Sequence, residues 1–182
     1  MNPYTKIWTK TSATIDFLLE NGLSTSLLNL NFLIAGLTAS LLSVGEDKVF
    51  ATFGVAGGLV FLLFQTVLIW LALKFLLPYM YLLIGKMWNG KATFHQMALI
   101  VSLAFIPEVI YLTYVLVLFA VSGEIIEVNY LIRLIGWVFT IRILVIGIAK
   151  VQGFNYVFAL MNLFLPAIIL GVLGLLLGVL NN

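Results

Sequence analysis

Uncharged apolar runs recur along the chain, each about as long as the ~20 helical residues that cross a bilayer's hydrocarbon core. The first covers residues 26–44 and ends at the polar turn Gly45-Glu46-Asp47-Lys48. The second begins at Val49 and meets no charge before Lys74; the chain then stays apolar to Pro78 and continues to Lys86. One straight helix over residues 49–88 would be about 60 Å long, about twice what the core needs. The pattern therefore predicts a break near Pro78 and a short surface helix, with Tyr79, Tyr81 and Trp88 at headgroup depth. Asn89-Gly90 signals a turn in the most polar connection of the middle of the chain. A third span is predicted over 93–121, a fourth over 129–149 and a fifth over 154–180, interrupted by Pro166. The fold class expected is all-α: a polytopic integral membrane protein with five transmembrane helices.

The first 22 residues read as a separate piece ahead of a five-helix domain over 23–182. Asn2-Pro3 suits a helix start and Gly22 a stop. Ile7, Trp8, Ile15, Leu18 and Leu19 alternate with Lys6, Lys10, Asp16 and Glu20, the pattern of an amphipathic helix at a membrane interface. A cleaved signal peptide fits less well, because the polar lead is long and the first span is full length.

Composition agrees with the spans: 63% of residues are hydrophobic, 9% are charged and the mean hydropathy is +1.19. A soluble domain of this size needs far more charge to cover its surface. The absence of cysteine excludes disulfides, thiol catalysis and cysteine-based metal sites. Nine basic and seven acidic residues are too few and too scattered for a nucleic-acid surface. Their placement is more informative. With the amino terminus inside, Lys6, Lys10, Lys74, Lys86, Lys91 and Lys150 fall on the cytoplasmic side, six of the nine basic residues. Glu46, Asp47, Lys48, Glu124 and Glu127 fall outside with the carboxyl-terminal Asn181-Asn182, as the positive-inside rule requires. No internal repeat is evident, and an odd span count argues against a transporter built from inverted repeats.

Glu108, beside Pro107, interrupts a run that carries no other charge from Gln96 to Ser122. A carboxylate in hydrocarbon is costly unless it is paired or faces water, so it marks a functional position. It would lie about 21 Å along the third span, with Arg142 about 12 Å and Arg133 about 25 Å from the same surface. Three readings stay open: a buried ion pair with either arginine, depth favouring Arg133; a proton or substrate pathway; and a glutamate that snorkels outward. Arg142 could instead bend toward phosphates, and Lys74 suits an interface anchor. Asn29, Asn31, Gln65 and Asn162 are placed for interhelical hydrogen bonds. Gly54, Gly57, Gly58, Gly174 and Gly178 would let helices approach within one molecule or between two. Pro107 and Pro166 are expected to kink their spans. The single histidine, His95, sits at a span mouth without partners for a metal site, and no protease motif or phosphate-cradling loop is present. No catalytic residue, metal or cofactor is therefore expected, and enzymatic activity is not.

Several segments in order resemble the Yip1 family, in particular its bacterial members. Trp8-Thr9-Lys10 with Ala13-Thr14-Ile15 is similar to the family's amino-terminal segment. Gly90-Lys91-Ala92-Thr93-Phe94 is similar to the turn that opens its third span, and Pro107 stands where the family places a proline. Trp137, Lys150-Val151-Gln152-Gly153-Phe154 and Ala159 resemble its fourth span, loop and fifth-span start. Thr11 and Ser12 replace a usual proline and arginine. The resemblance implies a five-helix protein with a cytoplasmic amino terminus and supplies no catalytic residue. It also implies a trafficking or export context: eukaryotic members contact small prenylated GTPases, and some bacterial members accompany export machinery.

Together these features predict a non-enzymatic scaffold or accessory factor in a bacterial cell membrane. Trp8, Lys10, Lys86, Gly90, Lys91 and Lys150 would contact membrane lipid or a membrane-protein partner, an exporter or trafficking component, or a second copy of the chain; no nucleic acid is expected. The alternative is a small permease or exporter subunit, with peptide or toxin resistance as one use, built on Pro107, Glu108, Arg133 and Arg142.

Overall fold

The computed structural model describes residues 2–46, 49–122 and 130–180, with residues 45, 46, 170 and 172–180 described by backbone alone. Asp47, Lys48, Glu124, Glu127 and the carboxyl-terminal asparagines lie outside the described residues, as do the surroundings of Gly174 and Gly178. The chain is 89% helix, with no strand among the described residues. The helices are α1 Pro3–Lys6, α2 Thr11–Asn21, α3 Thr25–Glu46, α4 Val49–Leu71, α5 Leu77–Met87, α6 Phe94–Ala104, α7 Ile106–Ser122, α8 Tyr130–Gln152 and α9 Tyr156–Leu180. Among the described residues, four stretches are long and apolar enough to cross a membrane: Thr25–Val44, Val49–Met87, Phe94–Ser122 and Tyr130–Gln152. They suggest a membrane protein.

Burial follows the logic of a lipid-solvated bundle. α6 is the central rod, with every residue from Met97 to Ala104 buried. α3, α5 and α8 pack around it, and α9 packs on α5 and α8. Phe32, Met97, Ile100, Leu103, Ile143 and Ile148 form the largest core cluster. Polar side chains are also inside: Asn31, Ser102, Gln152 and Asn162 are all but fully buried. Large apolar side chains are outside, with Val55, Val60, Leu63 and Phe64 of α4 more than 60% exposed. In water such a surface would be an aggregation site; in hydrocarbon it is ordinary.

Pro78 does not break the chain as the sequence predicts. The helix passes from α4 through a π-helical turn, Ala72–Leu76, directly into α5. Pro78 then falls in the first turn of α5, where the local backbone can spare its missing N–H. α5 is also not a surface helix, because Tyr81, Leu82, Ile84 and Gly85 are buried against α6 and α9. Tyr81 is thus inside the protein, while Trp88 packs on Phe154 and Phe158. The real discontinuity is Gly54, at φ +69°, a conformation that favours glycine. It folds the start of α4 back so that the Phe50 ring covers Gly58 and the Phe53 Cβ covers Gly57, a use of small residues within one molecule.

Pro107 behaves as expected: helical geometry lapses at Phe105 (φ −90°, ψ 1°), and α7 restarts with Pro107 in its first turn. Pro166 stays within a continuous α9. At the other end, the Asn2 side chain accepts from Tyr4 N–H at 3.0 Å and Gly22 (φ +76°) closes α2. The apolar face of the first 22 residues is not left for lipid, because Ile7, Ile15 and Leu18 join the main core and α2 packs on α8.

The α6–α8 approach rests on Gly147, where an added Cβ would lie 2.3 Å from Ile100 Cγ2. Alanine gains about 1 kcal/mol of helix propensity over glycine, while overpacking costs about 1–3 kcal/mol. Gly147→Ala should therefore lower the thermal midpoint in mild detergent, and adding Ile100→Ala should recover part of the loss beyond additivity.

Candidate functional site

Because the backbone lapses at Phe105, the first turn of α7 swings Glu108 to the wall of a cavity of about 600 Å³. That volume lies within the range of about 300–1,000 Å³ typical of ligand sites. α3 contributes Thr38 and Ser43, the α4 end Ile69, the π turn Leu73, and α8 Arg133 and Trp137. Glu108 N–H caps back onto Phe105 O at 3.0 Å. The Arg133 guanidinium lies over the Trp137 ring, 5.5 Å from its centroid, and its charge acts on the carboxylate.

Of the two arginines weighed against Glu108, Arg133 shares its cavity and Arg142 does not. Arg142 Nη1 donates instead to the Trp8 carbonyl at 3.4 Å. Glu108 and Arg133 do not close an ion pair; among the described residues that contact belongs to Lys150 and Asp16. Lys74 sits over Trp70 and Phe75, 4.9 and 5.1 Å from the ring centroids, rather than at this cavity.

Trp8 reaches the same cavity from the bend between α1 and α2. Its Nε1 donates to Tyr4 O at 2.7 Å and its ring meets Phe139 edge-on at 4.8 Å. The segment is held further by the Tyr4 hydroxyl, which donates to Asn31 Oδ1 at 2.8 Å, while Asn31 Nδ2 donates to Ser102 at 3.1 Å. Gln65 to Ser43 and Asn162 to Tyr81 O are further interhelical bonds made by the amides that the sequence singles out.

Lys86, Gly90, Lys91 and Lys150 gather at one end of the bundle. There Gln152, at the end of α8, donates to Tyr81 O and accepts from Ala92 N–H, while its carbonyl accepts from Lys91 N–H at 3.2 Å. A Cβ on Gly85 or Gly90 would fall within about 2 Å of its amide. The Gly90-Lys91-Ala92 turn and the Lys150-to-Phe154 loop are thus one knot. Gln152 was not singled out by sequence reasoning. Its signal was an amide between a helix end and Gly153, facing a glycine turn more than sixty residues away. Lys10, Lys86 and Lys91 stay exposed, Trp8 is half-buried, and Lys150 is held by Asp16. Comparisons with protein-family models, with curated proteins and with solved structures find no match for this chain.

The two fastenings differ in strength. The Lys150–Asp16 pair is partly exposed, and such pairs contribute about 0–1 kcal/mol. Gln152→Leu strands the buried Ala92 N–H, at about 1–3 kcal/mol, while Tyr81 O keeps the bond from Asn162. Asp16→Asn should therefore shift the unfolding midpoint little, and Gln152→Leu should shift it several times more. Burial holds the Tyr4 phenol above its usual 10.0, and the hydrogen bond that it donates to Asn31 belongs to the protonated form. The protonated phenol thus favours the docked segment fully below pH 10.0, and that contribution is lost as pH rises through the raised value. Proteolysis of the amino-terminal segment should increase over that alkaline window in the wild type and show no such step in Tyr4→Phe.

Proposed function

We propose that the chain is a five-helix integral membrane protein of Yip1 type, amino terminus inside and carboxyl terminus outside, acting as a non-enzymatic scaffold or accessory factor in a bacterial cell membrane. α9 is the fifth crossing in this reading. The observation that supports the function best is the Gln152 knot. It ties the turn bearing Lys91, just beyond the α5 end that bears Lys86, to the end of α8 and leaves both lysines exposed. Basic side chains near an anionic leaflet contribute about 1 kcal/mol each, and a rigid platform loses little entropy when a protein docks on it.

The cysteine-free sequence makes single-cysteine mapping direct. Ser12→Cys should be labelled only from the cytoplasmic side and Asn182→Cys only from the outside; labelling of both from one side removes the five-crossing reading. A photocrosslinker at Lys91 should capture one reproducible membrane-protein product, and Lys86→Glu should diminish it. Recovery of uncrosslinked monomer alone would remove the scaffold. A second reading, a permease or exporter subunit, draws support from Glu108 in its cavity; unchanged flux in vesicles carrying Glu108→Gln would end it.

A further inference from the structure

Glu108 and Arg133 present opposite charges to one cavity without meeting, and its mainly aliphatic lining also includes the rings of Trp8, Phe105 and Trp137. Left empty, this arrangement is costly: an intramembrane carboxylate without a direct partner needs a counter-charge or hydrogen-bond donors. A molecule that carries a cation and an anion on one short linker would satisfy both groups at once. The mouth indicates where that molecule comes from. Ile110, Ile135 and Trp137 line the cavity, and each is more than half exposed. An opening rimmed by exposed apolar side chains faces hydrocarbon, so the occupant enters from the lipid phase and keeps its chains there.

We propose that this cavity is a lateral binding site for a zwitterionic phospholipid with a primary ammonium group, of the phosphatidylethanolamine class. The ammonium donates to the Glu108 carboxylate, and an aromatic ring of the lining favours a cation that lies over its face. The phosphate accepts from Arg133, whose stacking on Trp137 holds the guanidinium in place. A quaternary ammonium has no N–H to give Glu108, and an anionic glycerol headgroup has no cation to give it. Selection is therefore expected against phosphatidylcholine and phosphatidylglycerol alike. The proposal needs the chain to lie in a membrane but does not depend on any protein partner.

The test uses the full chain carrying Trp70→Phe and Trp88→Phe, so that fluorescence reports Trp8 and Trp137, both at the cavity. The protein is reconstituted in phosphatidylcholine vesicles containing acyl-brominated phosphatidylethanolamine, phosphatidylglycerol or phosphatidylcholine as quencher. One charge-assisted hydrogen bond corresponds to about a tenfold preference, so the ethanolamine lipid should quench with about tenfold higher relative affinity than either other lipid. Glu108→Gln should abolish that preference and Glu108→Asp should retain part of it. Arg133→Gln should weaken all three lipids alike, since each carries the same phosphodiester, and so leave the ethanolamine preference in place. Equal quenching by all three lipids in the wild type, or a preference surviving in Glu108→Gln, would overturn the proposal. Displacement of the brominated lipid by chainless glycerophosphoethanolamine would overturn the lipid assignment. If Glu108→Gln fails to fold, the wild-type lipid ranking and the Asp variant decide.

Discussion

Hydrocarbon offers no hydrogen bonds, and that constraint organises this bundle more than apolar burial does. Leucine is as well solvated by lipid chains as by leucine, so greasy surface supplies little force to select one helix neighbour over another. Polar side chains do select. Asn31 joins α3 to α6 through Ser102, Gln65 joins α4 to α3 through Ser43, and Asn162 joins α9 to α5 through the Tyr81 carbonyl. Each such bond is worth about 0.6 kcal/mol on average. Together they pin a register that interchangeable apolar contacts would leave loose.

The cavity follows from where the backbone departs from ideal geometry. A straight α6–α7 rod would keep one packed face along its whole length, as α6 does from Met97 to Ala104. The lapse at Phe105 and the restart at Pro107 redirect α7, so its first turn opens away from the α6 core toward α3 and α8. On the opposite flank, the π turn at Ala72–Leu76 rephases the long helix before it enters α5. A residue inserted by a π turn rotates everything beyond it relative to everything before it. One part of that long helix can then present Ile69 and Leu73 to the cavity while the other buries Tyr81 and Gly85 against α6 and α9.

The same distinction explains what the sequence could and could not convey. Apolar runs set by the thickness of the hydrocarbon core are one-dimensional signals, and so 26–44 reappears within Thr25–Glu46 and 129–149 as Tyr130–Gln152, one residue off at its start and three at its end. Glycine at Gly22 and proline at Pro107 carry their backbone consequences with them, and both were legible. Pro78 misled because the element that accommodates it, a π turn of Ala, Leu, Lys, Phe and Leu, has no side-chain signature. Gln152 was hidden because its role depends on two turns far apart in sequence meeting in space. The choice between Arg133 and Arg142 was hidden for a related reason: depth alone ranked them, and only the docked amino-terminal segment shows that the Trp8 carbonyl engages Arg142.

That segment poses the sharpest question of balance, since its amphipathic pattern also suits a lipid interface. Burying Ile7, Ile15 and Leu18 contributes about 1.5–3 kcal/mol each relative to water. Lipid would take those side chains nearly as well, so their burial does not decide between bundle and bilayer. What lipid cannot supply is directional: the Asn31 acceptor for the Tyr4 hydroxyl, the Arg142 donor for the Trp8 carbonyl and the Lys150 partner for Asp16. None of these contacts is strong alone, and two are partly exposed. Their sum is a few kcal/mol at most, by the usual range of about 0.5–1.5 kcal/mol per hydrogen bond. A segment docked by so small a margin is bound well enough to hold Trp8 against the cavity, and weakly enough that the loss of one or two contacts would return it to the interface its sequence pattern describes.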